Sequence, residues 1–281
     1  MEYLFDALID TFKLVPYLFL TFLFLEYIEH KFSKKAQQVL MKYRGIGPVV
    51  GGIFGGFPQC GFSAMAANLY TARVITIGTV VAVFLSTSDE MLPIMLGEGA
   101  AFEQVAKIIG FKILVGVAVG LIVDVIFRKE VKKNNAIKEI CHSEHCDCEK
   151  KGVFVSSLKH TFRTLIFVLV VNFVINFVIG LIGEDKITAV LGGRNVWVYF
   201  VASLIGLIPN CAGSIVLTEA YLANFISIGA AMAGLLTGSG LGILLLFKQN
   251  KSLKENLIIL FAVYFVGVLI GAMVDLTGWL T

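Results

Sequence analysis

The fold is decided by the stretch Gly55-Gly56-Phe57-Pro58-Gln59-Cys60-Gly61-Phe62-Ser63, which interrupts a long apolar region with a proline and a short polar pair. A second stretch, Gly206-Leu207-Ile208-Pro209-Asn210-Cys211-Ala212-Gly213-Ser214, has proline, amide and cysteine in the same order. From Pro58 to Pro209 the offset is 151 residues. Proline lacks an N–H and clashes with the preceding turn, so each stretch predicts two short helices separated by a break.

Further positions align at the same offset, which predicts an internal duplication. The run Val115–Asp124 shares six of ten residues with Val266–Asp275. We therefore divide the chain into a first transmembrane repeat over 1–130, a linker over 131–152 and a second repeat over 153–281. Asp124 and Asp275 lie near the ends of apolar runs, and we expect them to act as caps or anchors.

The composition places the protein in a membrane. Hydrophobic residues make up 57% of its 281 residues and charged residues only 15%, against about 25% charged in soluble domains. The apolar residues form long runs between short polar loops, as expected of a chain that crosses lipid. No basic face with interleaved aromatics is present, so nucleic-acid binding is not indicated. Five scattered cysteines are too few for a disulfide scaffold.

The apolar runs fall into two lengths. About 20 residues span the hydrocarbon core, and six runs are long enough: 12–30, 74–96, 105–127, 161–183, 225–247 and 256–276. The paired segments 46–57 and 61–72, and 196–208 and 212–223, are too short to cross alone. We expect each pair to form a re-entrant hairpin with its tip near the midplane, where irregular backbone is tolerated if it lines a cavity.

Basic residues indicate the orientation of the spans. They concentrate in loop 31–44, linker 128–152 and loop 248–254, which should be cytoplasmic; both termini should then be outside. The expected fold is an all-α integral membrane protein with two inverted-topology repeats. Each repeat has three crossing helices and one re-entrant helical hairpin broken at Pro-x-Cys, a plan typical of secondary carriers. No phosphate-binding loop of the Walker type is present.

The hairpin tips are the first candidate site. Cys60 and Cys211 occupy equivalent positions, and thiolates select soft metals. The neighbouring amides Gln59 and Asn210 could bind substrate or coupling ion. The alternative is that each cysteine is a small buried apolar residue.

Ionisable residues inside spans form a second set, because charge within the membrane is costly and usually functional. Glu26, Glu29 and His30 share one helical face, although an interfacial position would leave them simply hydrated. Asp89 interrupts span 74–96, and Glu219 lies in the second hairpin at the place of Asn68 in the first. Other side chains that could bind substrate or coupling ion are Asn68 itself and the nearby hydroxyls of Ser86, Ser88 and Ser239.

The linker contains the densest group of metal-binding side chains. Five thiol and imidazole ligands fall within eight residues, and their spacing matches no zinc finger. The composition is typical of cation capture, with a solvated loop as the alternative. The residues are Cys141, His142, His145, Cys146 and Cys148.

Four segments together resemble a known family. They are FLFLEYIEH (22–30), GGFPQCGFSAMAANLY (55–70), STSDEMLPIML (86–96) and GLIPNCAGSIVLTEAYL (206–222). They resemble the bacterial and archaeal heavy-metal exporters, also labelled arsenic efflux permeases or manganese transporters. The resemblance implies a metal or metalloid efflux permease of about ten spans in the cytoplasmic membrane. Carried over by motif, the implied metal positions are Glu26, Glu29, His30, Cys60, Asp89, Cys211 and Glu219.

Three functions are compatible with these features. The first is efflux of a heavy-metal or metalloid ion, with protons or sodium as the coupling ion and no resident cofactor. The second is a carrier for a small oxyanion or carboxylate held at half-helix N-termini. The third, a membrane enzyme with a cysteine nucleophile, is disfavoured because no histidine lies near either hairpin cysteine in sequence. Expected partners are the lipid bilayer and a small inorganic ion, with a homodimer left open.

Overall fold

The computed structural model describes residues 44–57, 60–88, 91–127, 196–209 and 211–278, with a few single positions between 15 and 23 and between 158 and 173. Every regular element in these ranges is helical. The predicted spans 12–30 and 161–183, the linker 131–152 and the loop 184–195 lie largely or wholly outside the described residues.

Ten α-helices make up the described part of the molecule. In the first half a 3₁₀ turn, Arg44–Ile46, leads into α1 (Gly47–Gly55), α2 (Cys60–Thr71), α3 (Ile77–Ser86), α4 (Met91–Gly97) and α5 (Phe102–Ile126). In the second half they are α6 (Trp197–Gly206), α7 (Cys211–Leu222), α8 (Ile228–Thr237), α9 (Leu241–Gln249) and α10 (Leu253–Thr277).

The helices of the two halves begin and end at equivalent positions. Helices α2, α3 and α5 recur as α7, α8 and α10 with both ends displaced by 151 residues, as comparison of their bounds shows. The turns between them match as well, because Arg73 and Asn224 both adopt positive φ angles, 57° and 59°. The duplication in the sequence therefore has a counterpart in the described backbone.

Four regions are long and apolar enough to cross a membrane: Ile77–Gly97, Phe102–Ile126, Ile228–Gln249 and Leu253–Thr277. The predicted spans 105–127 and 256–276 are continuous helices. The predicted spans 74–96 and 225–247 are each interrupted, the first between Ser86 and Met91 and the second between Thr237 and Leu241. Pro93 does not end a helix but lies in the first turn of α4, where proline is tolerated.

Helices α3 and α8 are the centre of the molecule. Every residue of α8 and all but the first of α3 are buried. The long helices α5 and α10 bury only one stripe each, and their other faces carry exposed side chains such as Leu121, Ile122 and Phe265. Apolar side chains on the outward face are expected where lipid is the solvent.

Small residues allow α3 to pack closely against α5. A Cβ added at Gly78 would overlap the carbonyl oxygen of Gly120, and one added at Gly116 would lie 2.7 Å from the carbonyl oxygen of Ala82. Helices α8 and α10 pack in the same way through Gly229, Gly267 and Gly271. Such small-residue contacts are the usual way in which membrane helices approach one another, because lipid removes the hydrophobic drive for association.

The predicted role of Asp124 and Asp275 as caps is confirmed. The Asp124 carboxylate accepts hydrogen bonds from the Gly78 amide at 2.8 Å and from the Thr76 hydroxyl at 2.6 Å, at the start of α3. Asp275 accepts from the Gly229 amide at 2.8 Å and from the Ser227 hydroxyl at the start of α8. Each carboxylate satisfies an N–H that the helix itself leaves unpaired and lies at the favourable end of the helix dipole.

Candidate functional site

The two interrupted spans have similar hydrogen bonds at the point where the helix ends. Hydroxyl side chains return to carbonyls of the preceding turn: Ser86 to Ala82 at 2.8 Å and Thr87 to Val83 at 2.7 Å. In the second half the Thr237 hydroxyl donates to the Gly234 carbonyl of its own preceding turn at 2.8 Å and to the Ser203 carbonyl of α6 at 2.9 Å. These bonds compete with the regular helical pattern. The chain then leaves the helix at Thr87 and at Gly238.

The second break also uses a glycine that the first lacks. Gly240 has φ 50° and ψ −134°, a region that side chains with a Cβ rarely adopt. The equivalent position in the first half is Asp89, which lies outside the described residues. The predicted hydroxyls Ser86, Ser88 and Ser239 are each no more than 1% exposed, so the structure places all three at the buried breaks.

The short helix before each Pro-x-Cys segment ends beside the break of its own half. A Cβ added at Gly55, the last residue of α1, would overlap the Ser86 hydroxyl oxygen. A Cβ added at Gly206, the last residue of α6, would overlap the Thr237 hydroxyl oxygen. The short helix before each Pro-x-Cys tip therefore abuts the end of the central helix where the span is interrupted.

The helix after each Pro-x-Cys segment packs against a helix of the other half. Helix α2 packs against α9, and α7 packs against α4. At the start of both helices, a Cβ added at Gly242 of α9 would lie 2.9 Å from Ser63 of α2. Cys60 begins α2 and Cys211 begins α7. Both cysteines are thus placed at the ends of helices that cross between the halves.

Two hydrogen-bonded pairs join the halves reciprocally. The Tyr70 hydroxyl donates to Glu255 at 2.8 Å, and Gln104 donates to the Tyr221 hydroxyl at 2.7 Å. Tyr221 is the counterpart of Tyr70, and Glu255 is that of Gln104, both at the 151-residue offset. A contact from each half to the other at exchanged positions is what a two-fold relation between the halves produces.

The first of these pairs is part of an ionic cluster. Arg73 binds both carboxylate oxygens of Glu255, at 2.7 and 3.0 Å, and its guanidinium lies 5.3 Å from the centre of the Tyr70 ring. Burial lowers the pKa of Arg73, but the hydrogen bond to Glu255 and its charge outweigh burial, so that pKa lies above its ordinary value. The guanidinium therefore stays charged, and the bidentate pair holds α2 to α10.

A buried lysine is the main feature that sequence reasoning missed. Lys112 of α5 is 1% exposed, and its ammonium donates to the Thr87 carbonyl at the first break and to the Leu235 carbonyl of α8 at 2.7 Å. The signal was present in the sequence. Lys112 interrupts an otherwise apolar run, and a charge at such a place is a functional candidate by default.

Asn68 and Glu219 occupy equivalent positions in the two halves, but the structure places them in different surroundings. Asn68 is 1% exposed, and neither its amide nitrogen nor its amide oxygen has a hydrogen-bond partner among the described residues. Glu219, in contrast, is exposed on α7. A buried unpaired amide is costly, so Asn68 is the better candidate for contact with an ion.

The remaining predicted ligands stay predictions. Among the described residues no group of three or more His, Cys, Asp or Glu side chains could hold a metal. The positions of Gln59, Asp89, Asn210, Glu26, Glu29 and His30, the linker residues Cys141, His142, His145, Cys146 and Cys148, and the side chains of Cys60 and Cys211 lie outside that part of the chain.

Comparison with known proteins gives one family. A family model described as "Putative, 10TM heavy-metal exporter" matches residues 1–182, which is more than half of the chain. No curated protein and no solved structure matches. The matched region includes α1 to α5, with the first Pro-x-Cys segment, the first break and Lys112. The chain therefore belongs to this family of ten-span heavy-metal exporters, a class of membrane transporters.

Proposed function

We propose that the protein exports a heavy-metal or metalloid ion across the cytoplasmic membrane in exchange for protons, from a site between its two halves. The observation that carries the proposal is the reciprocal crossing of the halves, α2 against α9 and α7 against α4. In carriers with broken helices, ions bind at such interfaces because freed carbonyls and side chains meet there. The family supports the heavy-metal cargo.

The proposed ligands come from both tips. Cys60 and Cys211 would supply thiolates, and Gln59, Asn210 and the buried hydroxyls of Ser86, Ser88 and Ser239 would supply oxygen atoms. Asp89 and Glu219 would exchange protons for the cation, and Glu26, Glu29 and His30 would line the route. The linker cysteines and histidines would capture metal on the cytoplasmic side.

The proposed topology is an inverted pair of repeats, each with a re-entrant hairpin. The basic loops 31–44, 128–152 and 248–254 support it through the positive-inside rule. The reciprocal pairs Tyr70–Glu255 and Tyr221–Gln104 support it as well. The charged pair then lies toward the basic cytoplasmic side and the neutral pair toward the outside.

Transport by purified protein in liposomes tests the proposal. We would follow uptake of Zn²⁺, Mn²⁺, Cd²⁺ and arsenite into liposomes with an acidic lumen, so that protons leave as the ion enters. The wild type and Cys60→Ser/Cys211→Ser would be compared. Cys141→Ser/Cys146→Ser/Cys148→Ser is the matched control, since it removes thiols only from the linker. We expect gradient-driven uptake of at least one ion, loss of at least tenfold in the tip variant and retention of transport in the linker variant. Uptake that survives the tip variant, or none with any ion, would refute the proposal.

A second candidate, an anion carrier, is favoured by one observation. Lys112 places a buried ammonium at the break, and a buried cation attracts anions. Uptake of arsenate or a small carboxylate in the same liposomes, with no uptake of metal cations, would establish this alternative.

A further inference from the structure

Lys112 joins the two halves at the place where their central helices end. Its ammonium donates hydrogen bonds to the main-chain carbonyls of Thr87 and Leu235. Thr87 follows the last residue of α3, and Leu235 lies in the last turn of α8. One carbonyl therefore comes from each half.

Both carbonyls have the properties of cation ligands. Leu235 supplies one of the last four carbonyls of α8, which have no partner within the helix and carry the negative end of its dipole. The Thr87 carbonyl follows the end of α3, where the backbone is extended, and therefore lies outside the helical pattern. Carbonyl oxygens are the ligands by which proteins bind hard cations. The ammonium of Lys112 thus occupies a place where two carbonyl oxygens, one from each half, face a cation.

The lysine has no equivalent in the second half. The position 151 residues later is Val263, which is 0% exposed and apolar. The surrounding helix pairs are otherwise built alike, with Gly116 and Gly267 in the same contacts. If the fold itself required an ammonium clamp at this level, both halves would be expected to carry it. A buried charge that one half carries and the other lacks at the equivalent position indicates a role in the ion's path.

The ammonium also lies beside the proposed cargo site. Thr87 is adjacent to Ser86, whose hydroxyl abuts Gly55 at the end of α1. A cation held at the hairpin tip and the ammonium of Lys112 would repel each other at this short range, because the buried site screens charge poorly. Occupation of the site by one disfavours occupation by the other.

We infer that the Thr87 and Leu235 carbonyls form a cation site between the halves, which Lys112 occupies as a tethered cation in competition with the transported ion. The inference rests on the proposed export of a cation. An exporter must reorient after releasing its cargo, and carbonyls left unpaired in a buried site are costly. Lys112 satisfies them in the empty carrier, and the incoming cargo displaces it.

Two variants and a control test the inference. Lys112→Met removes the ammonium while keeping a similar length, Lys112→Arg keeps the charge on a larger planar group, and Lys107→Met changes an exposed lysine of the same helix. For each we would measure the Kd of the metal that the wild type transports, its uptake into liposomes, and the Tm in choline chloride, NaCl and KCl.

In Lys112→Met we expect the metal to bind at least tenfold more tightly and to be transported at least tenfold more slowly, because nothing displaces it. The emptied site should accept a monovalent cation, so the Tm of this variant should rise in NaCl or KCl relative to choline. The wild type and Lys107→Met should show no such rise.

Unchanged or weaker metal binding, together with a Tm that does not respond to Na⁺ or K⁺, would overturn the inference and leave Lys112 as a structural clamp. If Lys112→Met does not fold in any salt, Lys112→Arg decides. Its larger head group should weaken metal binding at least tenfold, and wild-type binding and uptake in that variant would refute the inference. A wild type that transports no metal would instead refute the proposed function, while the salt response of Lys112→Met would still test the cation site.

Discussion

The two helix breaks lie 151 residues apart and are framed alike, yet they differ in their chemistry. Both follow a buried central helix, and each is contacted by the glycine that ends a short helix, Gly55 of α1 or Gly206 of α6. The first break is held by the ammonium of Lys112, whereas the second relies on the positive φ of Gly240. The frame is therefore symmetric, and the charged groups within it are not.

This difference distinguishes the residues that build the fold from those that are candidates for transport. Glycine contacts, caps and helix ends recur in both halves because each half must solve the same packing problem. Lys112, Asn68 and the Arg73–Glu255 pair each have a counterpart of different character in the other half. These unmatched residues are the better candidates for function. The substitutions below test the comparison and are ordered by the size of their expected effect on stability.

The largest effect is expected from placing a second ammonium at the symmetric position. Val263→Lys buries a second ammonium while Lys112 already holds the carbonyls between the breaks, and a buried unpaired charge costs about 3–5 kcal/mol. The exchange Lys112→Val/Val263→Lys should recover a large part of that loss, because it restores one ammonium between the two breaks. Chemical unfolding in detergent measures both, with Val263→Met as the size control. An exchange variant no more stable than Val263→Lys would contradict the proposed two-fold relation between the halves.

A smaller loss of stability, similar in the two halves, is expected at two glycines in the contacts between helices. Gly78→Ala and Gly229→Ala each push a methyl group into a backbone carbonyl, of Gly120 and Gly271 respectively. Overpacking of this kind costs about 1–3 kcal/mol. Gly110→Ala is the control, since a Cβ there meets nothing within 4 Å. Thermal unfolding should show two similar losses, and a clearly unequal pair would mean that the halves are packed differently.

The two reciprocal tyrosines should differ modestly in the stability that is lost when each is replaced by phenylalanine. Tyr70→Phe removes a hydrogen bond to a carboxylate, worth about 1.5 kcal/mol or somewhat less where solvent reaches the pair. Tyr221→Phe removes a neutral bond worth about 0.5–1 kcal/mol. High salt should reduce the difference between these two losses of stability, because it screens the Arg73–Glu255 pair. Equal losses at low salt, measured by urea unfolding in mild detergent, would show that the charge of Glu255 does not strengthen the bond.

The smallest change in stability is expected at Asn68. Asn68→Leu removes a buried amide with no partner among the described residues, so stability should stay the same or rise by about 1 kcal/mol. Metal uptake should nevertheless fall if the amide contacts the ion. Glu219→Gln, at the exposed counterpart, should alter stability by less than about 0.5 kcal/mol. A clear loss of stability in Asn68→Leu would show that the amide has a structural partner.

Much of the fold could be predicted from the sequence because the signals are local. The breaks near Pro58 and Pro209, the long spans 105–127 and 256–276, and the caps Asp124 and Asp275 all follow from proline geometry, run length and position. The interruptions after Ser86 and Thr237 were not foreseen, because serine and threonine within a span are compatible with an unbroken helix. Their hydroxyls end the helix only where the packing of neighbouring helices favours it.

The sequence by itself determined the membrane environment, the duplication and the two proline breaks, since apolar run length and the missing proline N–H act within a few residues. Only the tertiary structure decided which groups meet across the halves. Tyr70 and Glu255 are 185 residues apart, and Lys112 and Leu235 are 123 apart. No local pattern specifies such pairs, because they depend on how the helices of one half cross those of the other.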